Sequence, residues 1–372
     1  LPAGDAESDV EGRRWEHRTE LMRDAIIYNR NNPSVIFYEC GNESISREHM
    51  IEMIEIRDQY DPHGGRAIGS REMLDIREAE WGGEMLYINK SMHHPMFATE
   101  YSRNEGLRKY WDEYSYPYHK EGDGPLYKGQ DASSYNHNQD MMALENIRRW
   151  YWYIRPGKGS RISSGGLKII FSDTQTHYRG AENYRRSGVV DPLRIEKDGF
   201  YAHQVMWDGW VDIENNRTYI IGHWNYKPEV IKPVYVVSSC DKVELFVNGK
   251  SKGFGKNEYR FLFTFDNIEW ESGEVKAVGY SENGEVLNSY SIQTVGAPNR
   301  LKLSLIENPS GLNADGADLM LVQVEVVDEN GNRCPLANDM IDFSLSGPAE
   351  WLGGIAQGPD NYVLSLSLPV EC

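Results

Sequence analysis

Cysteine is scarce in this sequence. Four occur in 372 residues, Cys40, Cys240, Cys334 and Cys372, and none stand at a CxxC or other metal spacing. A disulfide framework and a thiolate zinc site are therefore excluded. Long apolar runs are also missing: no stretch of 18 apolar residues exists, so no segment reads as a membrane-spanning helix. Positive charge is in deficit. Lys and Arg number 39 against 57 Asp and Glu, a formal net charge of −18. A surface of that sign repels nucleic acid and anionic membranes, so neither is an expected partner. Low-complexity tracts and internal repeats are absent. So is a charged-then-apolar leader. The chain starts at Leu1 rather than Met and stops just after the strand-like stretch Tyr362 to Leu368, and it reads as a piece of something longer.

What is present is globular. The sequence is 40% hydrophobic and 26% charged, with no segregation of charge into tails. Its first part alternates helices with short apolar runs. Arg14 to Tyr28 carries Leu21, Met22, Ala25 and Ile26 at helical spacing and is stopped by Asn31-Asn32-Pro33. Ser34 to Cys40 reads as a buried strand ending at Gly41. Ser46 to Tyr60 is helical with Ser46 as N-cap. Short strands follow at Arg66 to Gly69, Met85 to Ile88 and Pro95 to Thr99, then a helix over Asp140 to Ile154 and a strand at Gly166 to Phe171. Such alternation predicts a parallel sheet or barrel. After about Asn215 only strands remain, at Tyr219 to Gly222, Val234 to Ser238, Val243 to Val247, Tyr259 to Phe265 and Glu274 to Tyr280. Asn248-Gly249 reads as a type I′ hairpin turn. This predicts a β-sandwich. A second set after Pro298, Leu301 to Ile306 and Leu319 to Asp328, predicts another, cut short.

Two strands end on carboxylates. Ser34 to Cys40 delivers Asn42-Glu43, and Pro95 to Thr99 delivers Glu100. In a parallel βα barrel that strand end is where catalytic residues sit. Glycoside hydrolysis needs two carboxyl groups flanking one bond, about 5–5.5 Å apart when the anomeric configuration is retained. One protonates the leaving oxygen and the other attacks the anomeric carbon. Asn42 would hold the sugar 2-hydroxyl. Alone, Glu43 would read as a solvated strand-end residue; Asn42, the apolar strand and the second carboxylate argue for chemistry. Tyr87 could hydrogen-bond the nucleophile or simply fill the core.

The stretch from Arg23 through Asn31-Asn32-Pro33 to Gly41-Asn42-Glu43 resembles the acid/base signature of glycoside hydrolase family 2, which includes β-galactosidases, β-glucuronidases and β-mannosidases. Pro95 to Tyr101 is similar to that family's nucleophile signature, Ser164 to Asp173 to its last barrel strand, and Lys197 to Tyr201 to the helix after it. Val243 to Lys250 and Met320 to Pro335 are similar to the sandwich domains of bacterial members. The resemblance implies a fold that is α/β plus all-β: a partial (β/α)8 TIM barrel, strands four to eight, over residues 1–212, an immunoglobulin-like β-sandwich over 213–297 and a truncated second one over 298–372. It implies a retaining exo-β-glycosidase acting on oligosaccharides of a complex polysaccharide, with Glu43 as acid/base and Glu100 as nucleophile. β-Galactoside is the first expectation for the sugar, with β-glucuronide or β-mannoside as alternatives. No cofactor or metal is needed, and the partner is a carbohydrate. The rival reading is a non-catalytic carbohydrate-binding or scaffold fragment. The expected location is periplasmic or secreted.

The sequence departs from the family in places. Where members often carry Trp on the last barrel strand it has Ile169-Ile170-Phe171. Asn248-Gly249-Lys250 has the spelling of a uronate-reading Asn-x-Lys motif but reads as a hairpin. His177, Tyr178, Arg179, Arg185 and Arg186 form a basic cluster after the last strand, able to bind carboxylate or sulfate, or to be a solvated loop. His93-His94 with Glu84 is a poor metal set, because neighbours on a strand point apart. Pro156 to Ser160 is a plain turn rather than a phosphate loop.

Overall fold

The computed structural model describes residues 9–42, 44–71, 76–83, 95–101, 105–106, 113–114, 136–137, 139–153, 163–173, 186–313, 315–355, 364–365 and 370–371. The chain divides into two compact units, residues 1–103 with 148–169 and residues 104–147 with 170–372.

The first unit is built on a parallel sheet. Helix α1 (Arg13–Asn29) buries Trp15, Met22 and Ile26 on one stripe. It is followed by β1 (Phe37–Glu39). Helix α2 (Arg47–Tyr60) starts at Ser46, whose hydroxyl accepts the His49 amide and so satisfies one of the open N–H groups of the first turn. Then come β2 (Ala67–Arg71), β3 (Trp81–Gly83) and β4 (Met96–Tyr101). A short parallel pair, β5 (Glu105–Gly106) and β6 (Asn136–His137), belongs to the second unit. Helix α3 (Gln139–Tyr153) begins there and ends in the first unit, where β7 (Ser163–Lys168) completes the sheet. The order is β1-β2-β3-β4-β7, with every neighbour parallel.

Strand alternation divides the sheet's faces. Tyr38, Cys40 and Ile68 join Met22, Ile26, Met50 and Met53 in one core beneath the two helices. Complete burial of Ile26, Met50, Met53 and Ile68 stabilises by about 2 kcal/mol each relative to exposure. Phe37, Glu39, Gly69, Arg71, Trp81 and Phe97 take the other face. There, large residues alternate with glycine across the strands: Glu39 pairs with Gly69, Gly69 with Trp81, Arg71 with Gly83, and Gly83 with Phe97. Glycine is required at 69 because a Cβ would lie 2.1 Å from the Trp81 carbonyl oxygen.

This sheet curls. Strands β1 and β4 are three spacings apart, about 14 Å along the sheet. Yet the rings of Phe37 and Phe97 meet at 5.1 Å, and Trp81 lies 4.7 Å from Phe37. The three aromatics fill the interior as barrel side chains do.

Two sequence expectations need adjustment. The strand expected at Met85–Ile88 lies outside the described residues, and the third member of the sheet is Trp81–Gly83. The last strand, expected over Gly166–Phe171, is Ser163–Lys168 instead. Phe171 lies beyond its end and is 58% exposed. Ser163 to Gly166 looks unlike a strand because its two glycines leave the apolar bulk to the residues after it.

In the second unit, Asp173 and Lys197 both have fully buried side chains and lie 2.7 Å apart. Helix α4 (Asp198–Val211) follows. The sandwich comprises β8 (Thr218–Ile221), β9 (Ile231–Ser238), β10 (Lys242–Val247), β11 (Lys250–Phe254), β12 (Lys256–Glu258), β13 (Leu262–Glu269), β14 (Glu274–Tyr280) and β15 (Val286–Gln293). Two four-stranded antiparallel sheets, β11-β10-β14-β15 and β12-β13-β9-β8, share a core of Val236, Val243, Leu245, Phe263, Val275 and Ala277. Asn248 and Gly249 both have positive φ, 48° and 76°, as the expected I′ turn demands. Tyr259 and Arg260, expected inside a strand, also have positive φ and turn the chain before β13. Last come the antiparallel hairpin β16 (Arg300–Ile306) with β17 (Leu321–Val327) and a small core of Val326, Cys334 and Ile341.

Candidate active site

Asn42 and Glu100 fall toward the carboxyl end of the parallel sheet. Strand β1 runs out through Cys40 and Gly41 to Asn42. Its last turn is tied to β2 twice: the Cys40 amide donates to Gly69 O at 2.9 Å, and the buried Ser70 hydroxyl donates to Gly41 O at 2.6 Å. Asn42, the expected reader of the sugar 2-hydroxyl, is partly buried at that end. Glu43 lies outside the described residues, directly after it. Glu100 is the fifth residue of β4. Pairing with β7 slips there: Ala98 faces Gly166 and Tyr101 faces Lys168, so Thr99 and Glu100 together oppose the single residue Leu167. Such a bulge bends a strand and re-aims a side chain, and bulges gather beside active sites. Tyr101 packs at 5% exposure, and burial pushes its phenol up.

Tyr87, His177, Arg179 and Arg185 lie outside the described residues, as do His93-His94 and Pro156–Ser160. Arg186, grouped with the basic loop in the sequence, is only 2% exposed, so it is no surface contact for a substrate. Its carbonyl accepts from Lys197 Nζ at 3.2 Å.

The sequence reading missed two charged groups on the interior face. Arg71, at the end of β2, is buried at 6% exposure. Glu39, at the end of β1, has its carboxyl pushed up to about 7 by burial, with the Arg71 guanidinium acting in the opposite direction. Period-two alternation would have placed both opposite the helix-packed Tyr38 and Ile68, had the sheet's faces been assigned first.

Glu39 has a consequence for stability. An exposed glutamate titrates near 4.5, so between about pH 4.5 and 7 the folded protein keeps a proton that the unfolded chain has released. Stability therefore falls as pH rises through that window. Glu39→Gln is expected to lessen the loss between pH 5 and pH 8 by about 3 kcal/mol. Urea midpoints at the two pH values measure it; equal slopes in both proteins would mean that Glu39 titrates normally.

Among the described residues no group of three or more His, Cys, Asp or Glu could hold a metal ion, and no helix is long and apolar enough to cross a membrane. The thiol of Cys40 is raised to about 12 by burial, which leaves it without nucleophilic character at neutral pH.

Comparison with known proteins adds to this geometry. Residues 229–288 match the family model described as "Domain of unknown function (DUF4982)", and residues 303–364 match "Glycoside hydrolase family 2 C-terminal domain 5". A β-glucuronidase of Formosa agariphila is 36% identical over 100% of this chain and 37% of its own length. The β-galactosidase BoGH2A of Bacteroides ovatus is 35% identical over 47% of this chain and 19% of its own. Among solved structures, a β-glucuronidase from glycoside hydrolase family 2 superposes with a TM-score of 0.80 at 34% identity, covering 98% of this chain and 37% of that one. A β-glycosidase from Bacteroides vulgatus shares the fold, with a TM-score of 0.68 at 19% identity over 97% of this chain and 49% of that one. The chain thus spans about a third of the length of the β-glucuronidases it matches.

Proposed function

This chain belongs to glycoside hydrolase family 2, and from that premise we propose that it supplies the catalytic carboxylates of a retaining exo-β-glycosidase. Glu43 is the general acid/base and Glu100 the nucleophile, with Asn42 on the sugar 2-hydroxyl. We read both β modules as immunoglobulin-like. The observation that carries the catalytic reading is the meeting of Phe37 and Phe97 at 5.1 Å. It brings β1 and β4 face to face across the interior; Glu100 lies on β4 three residues after Phe97, and Glu43 comes six residues after Phe37 in sequence.

The first sugar we assign is a terminal β-glucuronide. The Formosa relative aligns along the whole chain and is named for that activity. Buried Arg71 supplies a cation on the interior face, where a protein of net charge −18 needs one to admit an anion. His177, Arg179 and Arg185 would add contacts to acidic or sulfated units of the polysaccharide. A β-galactoside is the second reading, supported by the Bacteroides ovatus relative. The complete protein should be assayed on aryl β-glucuronide and aryl β-galactoside. Arg71→Gln is expected to lower kcat/KM on the glucuronide by about 10²-fold relative to the galactoside, the loss typical of a charge-assisted contact. Arg179→Ala and Arg185→Ala should reduce the preference for charged over neutral oligosaccharides. A wild type that favours the galactoside establishes the second reading. Turnover of neither substrate leaves the non-catalytic, carbohydrate-binding role.

A further inference from the structure

The second unit holds an open cleft of about 680 Å³ bordered by α4, β8, β15 and β17. We propose that this cleft binds a neutral oligosaccharide, at a site composed wholly of second-unit residues, whereas Glu43 and Glu100 belong to the first unit. The proposal does not depend on the chemistry assigned to those carboxylates.

One side of the cleft is aromatic. Tyr201 of α4 stacks on Tyr219 of β8, with ring centroids 4.6 Å apart and an interplanar angle of 16°. Tyr290 of β15 follows at 5.1 Å from Tyr219. Three phenols from three different elements thus form one row. Phenol rings of this kind pack an apolar face on sugar C–H groups and meet sugar hydroxyls at their edge, and Tyr201 and Tyr290 flank Tyr219 in the row. The row is held in place. Tyr219 donates its hydroxyl to Asp198 Oδ1 at 2.7 Å, and the Gly222 amide donates to Asp198 Oδ2 at 2.9 Å. Burial raises the Tyr290 phenol to about 12, and Asp198 adds to that shift, so Tyr290 stays a neutral hydroxyl at any physiological pH.

The remaining lining is mostly polar, with Gln204 on α4, Arg217 just before β8, Gln323 and Glu325 on β17, and Arg333, beside the apolar Ile195 and Val205. Several of its charges are paired, and Glu196 and Asp198 add carboxylates to the lining. Arg217 pairs with Asp208, and Glu325 lies 3.3 Å from Lys302 and 4.0 Å from Arg333. A cleft built for an anion would instead leave its cations facing the ligand. Here amides, paired charges and carboxylates offer directional hydrogen bonds without attraction for an anion, which matches the hydroxyls of an uncharged sugar. The volume lies within the roughly 300–1,000 Å³ of small-ligand sites.

The test is calorimetric titration of the 372-residue chain with galactotetraose, mannotetraose and cellotetraose, and with tetragalacturonate as the charged control. At least one neutral tetrasaccharide is expected to bind. Tyr201→Ala should weaken it about tenfold through the lost ring face. Gln204→Ala, on the helix surface, should weaken it about threefold without disturbing the tyrosine row. The double variant Glu43→Gln/Glu100→Gln should bind as tightly as wild type, which separates this site from the catalytic one. Three outcomes overturn the proposal: no neutral sugar binds, tetragalacturonate binds more tightly than all three, or binding survives Gln204→Ala and Tyr201→Ala but is lost in the double glutamine variant.

Discussion

Glu100→Gln in the complete protein is expected to abolish turnover of β-glycosides, while Glu43→Ala is expected to spare those with a good leaving group. The asymmetry follows from the roles. Without the nucleophile no glycosyl-enzyme can form, whatever leaves. Without the acid, a basic alkoxide cannot depart, but a dinitrophenolate needs no proton. Glu43→Ala should therefore lose about 10²–10⁴-fold on an alkyl or sugar leaving group. On the activated substrate it should still form the covalent intermediate, visible as a burst of phenolate and as a mass increase of one glycosyl unit on the protein. Equal losses on both substrates would remove Glu43 from the acid role. A surviving burst in Glu100→Gln would move the nucleophile elsewhere.

The second large effect concerns stability. Lys197→Met is expected to destabilise the second unit by about 3–5 kcal/mol, because it removes the ammonium half of a buried ion pair. Asp173 and Lys197 are both fully buried. Besides the ammonium, the carboxylate accepts the Gly188 amide at 2.8 Å. Burial pulls the Lys197 pKa down and Asp173 pushes it back, so the pair is costly to desolvate and costlier to break. At about 2–4 °C per kcal/mol for a unit of this size, the melting temperature should fall by about 10 °C or more. Asp173→Leu combined with Lys197→Met should recover part of the loss, since both partners of that ion pair are removed together. A single variant that melts with wild type would show that water reaches the pair.

Much of the fold was legible in the sequence where periodicity and composition agreed. Leu21, Met22, Ala25 and Ile26 marked α1, Ser46 marked the start of α2, and Asn248-Gly249 marked its hairpin. Legibility failed where glycine carries the strand. Trp81-Gly82-Gly83 and Ser163 to Gly166 have little β propensity of their own and are extended because neighbouring strands hold them. Of the site, the Asn42-Glu43 and Glu100 motifs stood out because an apolar strand precedes each. Arg71 and Glu39 did not, because a charge inside a sheet becomes visible only once its face is known. Asp173 and Lys197 stand 24 positions apart in sequence, and nothing local announces the pair. Nor does sequence reveal the bulge at Thr99–Glu100, which exists only as a mismatch with β7.

The interleaving of the two units has a consequence for how the chain is made. Residues 104–147 leave the first unit, and residues 148–169 return to it. Strand β4 is therefore synthesised more than sixty residues before β7, the neighbour that covers its free edge. For that interval on the ribosome the nascent sheet presents an uncovered row of amides and carbonyls ending in the Thr-Glu-Tyr segment, the kind of edge that recruits foreign strands. Pairing across so long a gap is slow, since the loop must close before any contact rewards it. Pairing with β7 is thus the step that sets the backbone around Glu100, and conditions that hasten translation or crowd nascent chains should lower the share of chains in which that pairing is formed.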